Sequence, residues 1–374
     1  MTSILDAAAG SGSTKCAQVL CSHGATVNAV PAGCDGTALA TAASVGKTPI
    51  CALLLDAGAD IELALRESLF TPLSLAANKG HIETVHLLVE RGANVNVGDW
   101  KQRTPIMLAC DNKHIEVVKA LAPRADLMQR NAIGCVLLHH ASACGTAFID
   151  AVLPRYLEAG LIDVQTQDTG GRTIEGATTL IFLCCVAKYT EAKLLLQAGA
   201  SRYVKDSKMR SAVHHAVVGN SLACLQLLLG EAPNMHYTPA QLNECDADGE
   251  TPLHAAIRGA GNVAICRLLM AAGADPLVKT RDDGALDAAA LARMCWPDRP
   301  ELAAIFEPGA VIEPLQPPCC ANCQMTGCKL SACAKCHIVR YCSSACGREH
   351  WGQHKGVCKR PDEATGLLLR TSLQ

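Results

Sequence analysis

Eight cysteine and histidine side chains near the C-terminus have the spacing that a metal site requires. Nine of the 22 cysteines lie within residues 319–358, and from Cys320 the pattern is C-x2-C-x9-C-x2-C-x5-C-x3-C-x7-H-x3-C. The candidate ligands are Cys320, Cys323, Cys333, Cys336, Cys342, Cys346, His354 and Cys358. They can form two tetrahedral sets of thiolate and imidazole, the coordination of structural zinc. We therefore predict two structural Zn²⁺ ions, with no coordination position left for water or substrate.

The segment that holds these ligands has too few large apolar side chains to fold by burial alone. Those within residues 319–358 are Met325, Leu330, Ile338, Val339, Tyr341, Trp351 and Val357. Structural zinc contributes roughly 10–16 kcal/mol per site, so folding is expected to depend on the metal. Cys319 is an alternative first ligand, although its C-x3-C hook fits less well. Cys328 and His350 are left over.

The residues around the ligands, CHIVRYCSSAC and HWGQHKGVC, resemble the MYND zinc finger. The resemblance implies that the segment binds proline-containing peptides and that its ligands interleave. One zinc would be held by Cys320, Cys323, Cys342 and Cys346, and the other by Cys333, Cys336, His354 and Cys358. Ligand chemistry alone leaves open a sequential pairing that closes Cys320, Cys323, Cys333 and Cys336 around the first ion. That pairing would join the two halves only through residues 337–341.

A repeat with a period near 33 residues fills most of the chain before this segment. The clearest copies are TPLSLAANKGHIETVHLLVERGANVN from Thr71, TPIMLACDNKHIEVVKALAPRAD from Thr104 and TPLHAAIRGAGNVAICRLLMAAGAD from Thr251. They resemble the ankyrin repeat, whose signature is T-P-L-H-x-A. Weaker copies start at Ser3, Thr37, Val136, Thr178, Ser211 and Gly284, and two connections between copies are lengthened. The fold class is therefore mostly α, an ankyrin solenoid followed by a small two-zinc MYND finger.

Each repeat position has a physical reason. A threonine such as Thr71 caps the first helix, and Pro72 occupies a position that needs no N–H. The apolar stripe that follows cannot be buried within one unit, so neighbouring units stack. The paired histidines, His139 with His140 and His214 with His215, invite a metal or base role. The repeat already explains one member of each pair, which favours a structural role.

The domain boundaries follow from these patterns. Residues 1–306 form the ankyrin stack, 307–318 a Pro-rich linker, 319–358 the MYND-type finger and 359–374 a tail. The longest apolar run, Thr178 to Ala187, is too short to span a membrane. The N-terminus lacks a secretion signal, and thiols and zinc favour a reducing compartment. We expect an intracellular, cytoplasmic protein, with the nucleus and the cilium as alternatives.

The expected partners are proteins or peptides. The predicted hairpin tips are basic, and Trp100, Lys101, Arg103 and Arg130 are candidate contacts because exposed Trp and Arg are enriched at binding hot spots. The Trp100 ring could instead lie flat on the neighbouring repeat. The positive charge of the C-terminal segment largely balances its metal thiolates, so we expect no nucleic-acid binding.

The sequence thus predicts a non-catalytic adaptor without a small-molecule substrate. No phosphate-binding loop or nucleophile signature accompanies the histidines. A methyltransferase with an embedded MYND finger would need a SET domain, for which no room remains. A RING-type ligase would usually place His among the middle ligands, where this chain has Cys. Two alternatives stay open: a transcription or chromatin cofactor in the nucleus, and a substrate-recruiting subunit of an enzyme complex.

Overall fold

The computed structural model describes residues 4–30, 34–166, 174–230, 237–281 and 284–307, together with the backbone of residues 331–332 and 340–341. Internal contacts divide the chain into two units, residues 1–307 and 308–374. Within the described ranges, no helix is long and apolar enough to cross a membrane.

The first unit is a series of helix pairs in chain order. The first helices of the pairs are α1 Ile4–Ser11, α3 Ala38–Val45, α5 Pro72–Lys79, α7 Pro105–Asp111, α9 Leu137–Cys144, α11 Thr179–Cys185, α13 Ala212–Val218, α16 Pro252–Arg258 and α18 Ala288–Cys295. The second helices are α2 Thr14–Ser22, α4 Thr48–Asp56, α6 Ile82–Glu90, α8 Ile115–Leu121, α10 Thr146–Glu158, α12 Tyr189–Gln197, α14 Leu222–Leu229, α17 Val263–Ala271 and α19 Pro300–Ala304. A short helix, α15 Pro239–Leu242, precedes α16.

The residues that open the predicted repeats cap the first helices. The hydroxyl of Thr71 accepts a hydrogen bond from the Ser74 amide at 3.2 Å, with Pro72 in the first turn. Seven of the predicted starts are N-cap residues: Thr37, Thr71, Thr104, Val136, Thr178, Ser211 and Thr251. The last repeat differs, because Asp287 rather than Gly284 caps α18.

A glycine at the end of α5 makes room for the next repeat. Gly80 adopts the left-handed conformation with φ 78°, and a Cβ there would lie 2.5 Å from the imidazole of His114. His114 Nε2 in turn contacts the carbonyl oxygen of Asn78 at 3.2 Å. Gly46 and His81 repeat this arrangement one unit earlier. These histidines therefore fasten neighbouring repeats together.

Two apolar cores lie along the stack and meet at α10. Phe148, Val152 and Tyr156 pack into the N-terminal core, whereas Ile149 and Leu153 pack into the C-terminal core. Tyr156 is fully buried, and its hydroxyl donates to the Leu127 carbonyl at 2.8 Å. One helix thus joins the two halves of the first unit.

The two lengthened connections contain helix as well as loop. α10 has 13 residues, compared with nine in α6 and seven in α8, so part of the first extension lies inside a helix. The second extension contains α15, which Thr238 caps through its hydroxyl. The sequence predicted two lengthened loops from the wider spacing of the repeat starts. In the structure Pro154 lies inside α10, and Pro239 occupies the first turn of α15.

In the second unit the structure describes one short antiparallel pair of strands. β1 Ser331–Ala332 pairs with β2 Arg340–Tyr341, with Ser331 opposite Tyr341 and Ala332 opposite Arg340. In the sequence, β1 directly precedes Cys333 and β2 directly precedes Cys342.

Candidate interaction surfaces and metal-binding segment

Between the helix pairs, the hairpin tips are organised by a buried or half-buried Asp or Asn. The Asp99 carboxylate accepts hydrogen bonds from the amides of Lys101 and Arg103 at 2.9 and 2.8 Å. Asn131, Asp206 and Asp246 each accept two equivalent amide bonds in later tips. These bonds fix the backbone of the tips on which the predicted contact residues stand.

Successive tips are also bonded to each other through the backbone. The Trp100 amide donates to the Ser68 carbonyl at 3.2 Å, and the Ala132 amide donates to the Lys101 carbonyl at 2.7 Å. The tip that carries Trp100 and Lys101 is therefore held on both sides.

Trp100 and Lys101 are both exposed at this tip. The Trp100 side chain keeps 57% of its surface exposed, and the Lys101 ammonium lies 4.6 Å from its ring centroid. An exposed indole covered by a cation has the size and polarity of a binding hot spot. The alternative, a ring lying flat on the neighbouring repeat, would leave less of it exposed.

Arg103 has internal partners. Its guanidinium binds Asp99 Oδ2 through Nε at 3.0 Å and Nη2 at 2.8 Å, and reaches Asp111 Oδ2 through Nη1 at 3.2 Å. Asp99 is fully buried, so this bidentate bond compensates a buried carboxylate. The structure therefore gives Arg103 a role in holding the tip, in addition to its place beside Trp100.

Arg130 bridges two tips and does not lie with the other three predicted contacts. Its Nη1 donates to the carbonyl oxygens of Gly134 at 3.0 Å and Gln165 at 2.7 Å. Trp100, Lys101 and Arg103 line one open groove together with Asp111 and His140, and Arg130 is not part of that lining.

The second histidine of each pair joins a helix to a hairpin tip. His140 contacts Asp111 Oδ1 through Nδ1 and Asn131 Nδ2 through Nε2, both at 2.8 Å. His215 Nε2 lies 2.8 Å from Asp206 Oδ2, and both side chains are buried. Burial raises the pKa of Asp206, but bonds from His215 and the Arg210 backbone outweigh it and leave the pKa lowered. These pairs support the tips.

The first histidine of each pair lies in the repeat core, as does His254 at the same position of a later repeat. His214 Nδ1 accepts from the Ser211 amide at 3.2 Å, and His254 Nδ1 accepts from the Thr251 amide at 3.3 Å. Burial lowers the pKa of His139 and of His214 to about 4, so both are neutral at physiological pH. His139 differs in that its Nδ1 has no partner among the described residues. Neutral, packed imidazoles are structural elements of the stack.

An apolar cavity of about 370 Å³ lies between α9 and α11. Its walls include Ile133, Ala143, Phe182 and Val186, with His139 and His140 beside them. The sequence analysis did not find this cavity. In the sequence, the repeat starts Val136 and Thr178 are 42 residues apart, compared with a period near 33. This wider spacing marks an irregular junction between two repeats.

The eight predicted zinc ligands lie outside the described residues, as does their pairing. Their donor set, seven thiols and one imidazole with two C-x2-C hooks, fits zinc. In the part of the chain that the structure describes, no three His, Cys, Asp or Glu side chains group as a metal site, and the thirteen cysteines there are free thiols. The metal-binding segment, residues 320–358, therefore stays a prediction from the sequence.

Comparison with known proteins finds family matches in both parts of the chain. The family model described as "Ankyrin repeats (3 copies)" matches residues 65–131 and 180–280, and the model described as "MYND finger" matches residues 320–358. The nuclear factor NF-kappa-B p105 subunit of Mus musculus is 32% identical over 156 residues, which are 41% of this chain. The chain covers 15% of that protein's length.

Proposed function

This chain carries ankyrin repeats and a C-terminal MYND finger, and we propose that it is a non-catalytic adaptor whose two parts bind different proteins. Both modules are protein-interaction domains. One observation carries the proposal. The stack residues with catalytic potential, His139, His140, His214 and His215, hold tips and helices together, whereas Trp100 remains exposed beside a lysine.

In this proposal the finger is a structural two-zinc module. MYND fingers bind zinc, and the eight ligands of this chain suffice for two closed tetrahedral sites. Such sites leave no open position for catalysis. The finger would take a proline-containing peptide from one partner, while the hairpin tips around Trp100 and Lys101 take another protein. We place the adaptor in the cytoplasm, which imaging of the tagged full-length chain can test.

Affinity capture from cell extract with three forms of the full-length protein, each prepared with zinc present, tests this function. The forms are wild type, Cys336→Ser and Trp100→Ala. We expect Cys336→Ser to lose one set of partners and Trp100→Ala to weaken a different set, since truncating a central anchor costs about 2 kcal/mol or more. Leu277→Ala is the matched control, because it removes an exposed apolar side chain from a later repeat. Identical partner sets for all four proteins would contradict the proposal.

A further inference from the structure

One exposed or partly exposed position of the first helices changes character along the stack. It lies seven residues after the N-cap, and in consecutive repeats it is occupied by Ser44, Asn78, Asp111, Ala143, Cys185, Val218 and Arg258. The first three are polar, the next three are small or apolar, and the last is charged. Val218 is 56% exposed, and Val186, next to Cys185, is 46% exposed. We call the surface formed by α9, α11 and their hairpin residues the apolar face.

The cavity between α9 and α11 lies within this face. Ala143 forms one wall, and Phe182 and Val186 form the opposite wall. The polar side chains beside them are already satisfied, except that His139 Nδ1 has no partner among the described residues. The Thr166 hydroxyl donates to the Ile174 carbonyl at 2.5 Å and accepts from the Ala177 amide at 3.1 Å, and both nitrogens of His140 have partners. His139 is neutral, because burial lowers its pKa to about 4. The cavity therefore favours an apolar occupant.

The cavity adjoins the groove beside Trp100. Ile133 and His140 line both recesses, and the groove, of about 430 Å³, extends to Trp100 and Lys101. A ligand that fills the cavity can therefore extend toward the exposed indole. A continuous surface across three hairpin tips suits an extended peptide segment better than a compact small molecule.

The charge at the edges of this surface is positive. Lys101 lines the groove, and Lys113 lies close enough to the end of α9 to act electrostatically on the Cys144 thiol. Among the described residues, neither ammonium group forms an ion pair. The nearby Asp111 carboxylate is bound by Arg103, which also binds Asp99, and by His140. Carboxylates of a ligand could pair with the Lys101 and Lys113 ammonium groups at this edge.

We propose that the apolar face binds an acidic segment of a partner protein through one bulky apolar side chain. That side chain enters the cavity between Ala143 and Val186, and neighbouring carboxylates of the segment approach Lys101 and Lys113. This inference rests on the proposed function, because it names the chemistry of the partner that the ankyrin stack takes.

Selection of random twelve-residue peptides by phage display on zinc-loaded full-length protein tests the inference. Enriched peptides are then measured by fluorescence anisotropy against wild type, Ala143→Glu and Ala147→Glu. Both alanines are exposed, but Ala147 lies on α10 and does not line the cavity. We expect acidic peptides with a bulky apolar residue, at least tenfold weaker binding to Ala143→Glu and less than twofold change for Ala147→Glu. Lys101→Gln with Lys113→Gln should weaken binding severalfold and reduce its dependence on salt.

If Ala143→Glu loses helical signal in circular dichroism, its weaker peptide binding is not informative. Val186→Ser then tests the cavity, because Val186 lies exposed on the opposite wall. A severalfold loss in this variant supports the cavity as the site. Peptides that bind all cavity variants normally but are lost in Cys336→Ser or Trp100→Ala overturn the inference and leave the adaptor function standing. A dimer of the chain that Ala143→Glu dissociates would place a second copy in the cavity and also overturn it. No enrichment at all would overturn the inference, whereas the affinity capture with Cys336→Ser and Trp100→Ala decides the proposed function independently.

Discussion

The ankyrin stack and the finger obtain their order from different sources. In the stack, each unit buries small apolar side chains against its neighbours, and histidines such as His81 and His114 fasten one repeat to the previous one. Stability is therefore distributed along the series. The finger has few large apolar residues but eight potential ligands within 39 positions, residues 320–358. We therefore expect one substitution to lower the stability of the stack only in part, but to unfold the finger completely.

The largest expected effect is the removal of one zinc ligand. Cys336→Ser in the full-length chain should release zinc and unfold the finger, because a structural site contributes roughly 10–16 kcal/mol to folding. The helical signal of the stack and its melting should stay nearly unchanged. Zinc content by elemental analysis and circular dichroism at 222 nm measure the two parts. Cys328→Ser, outside the predicted ligand set, is the control, and a large loss of helical signal in Cys336→Ser would show that the two parts do not fold separately.

A smaller effect is expected when a buried charge in the stack loses its partner. Arg103→Ala leaves the buried Asp99 carboxylate without its bidentate guanidinium, and we expect about 3 kcal/mol loss of unfolding free energy. The control is Arg91→Ala, which breaks an exposed ion pair with Asp56 and should cost less than about 1 kcal/mol. Urea unfolding followed by circular dichroism compares the two. Equal losses would mean that Asp99 is hydrated once Arg103 is removed.

The stack should also lose stability on mild acidification. Burial lowers the pKa of His139 to about 4, whereas an unfolded histidine titrates near 6.5, so between these pH values the unfolded chain binds the proton and the folded chain does not. The contribution of His139 is full above pH 6.5 and falls as pH decreases toward 4, by about 2 kcal/mol at pH 5, and His214, whose pKa burial also lowers to about 4, adds a similar loss.

Urea midpoints at pH 7 and pH 5 measure this loss, and His139→Gln should remove about that part of it. His86→Gln is the matched control, because it changes an exposed histidine of α6. A pH dependence that is identical in His139→Gln and wild type would show that His139 is protonated inside the folded stack.

The sequence predicted the stack better than its recognition surface. A capping threonine bonds to an amide three residues further on, and each Gly-His pair joins neighbouring repeats. Both spacings are regular, so their pattern is visible in the sequence. The ankyrin repeats and the finger were confirmed by the family comparisons. Arg103, in contrast, was predicted as a partner contact from its place at a tip. Its bonds to Asp99 and Asp111 depend on the folded tip and on the end of α7, which spacing alone does not reveal.

The cavity was missed for a related reason. It lies between α9 and α11, and in the sequence only the 42-residue spacing between Val136 and Thr178 marks that junction, which was interpreted as a lengthened loop. The zinc ligands, their number and their pairing stay predictions, because they lie outside the described residues.

The most direct test of the adaptor account asks whether one chain bridges two partners. A partner whose capture depends on Cys336 is immobilised, and the full-length protein is added together with a partner whose capture depends on Trp100. We predict that the second partner is retained by wild type and by Leu277→Ala, but is lost when either Cys336→Ser or Trp100→Ala replaces wild type. Retention of the second partner by both Cys336→Ser and Trp100→Ala, or mutual exclusion of the two partners on wild type, would contradict the account.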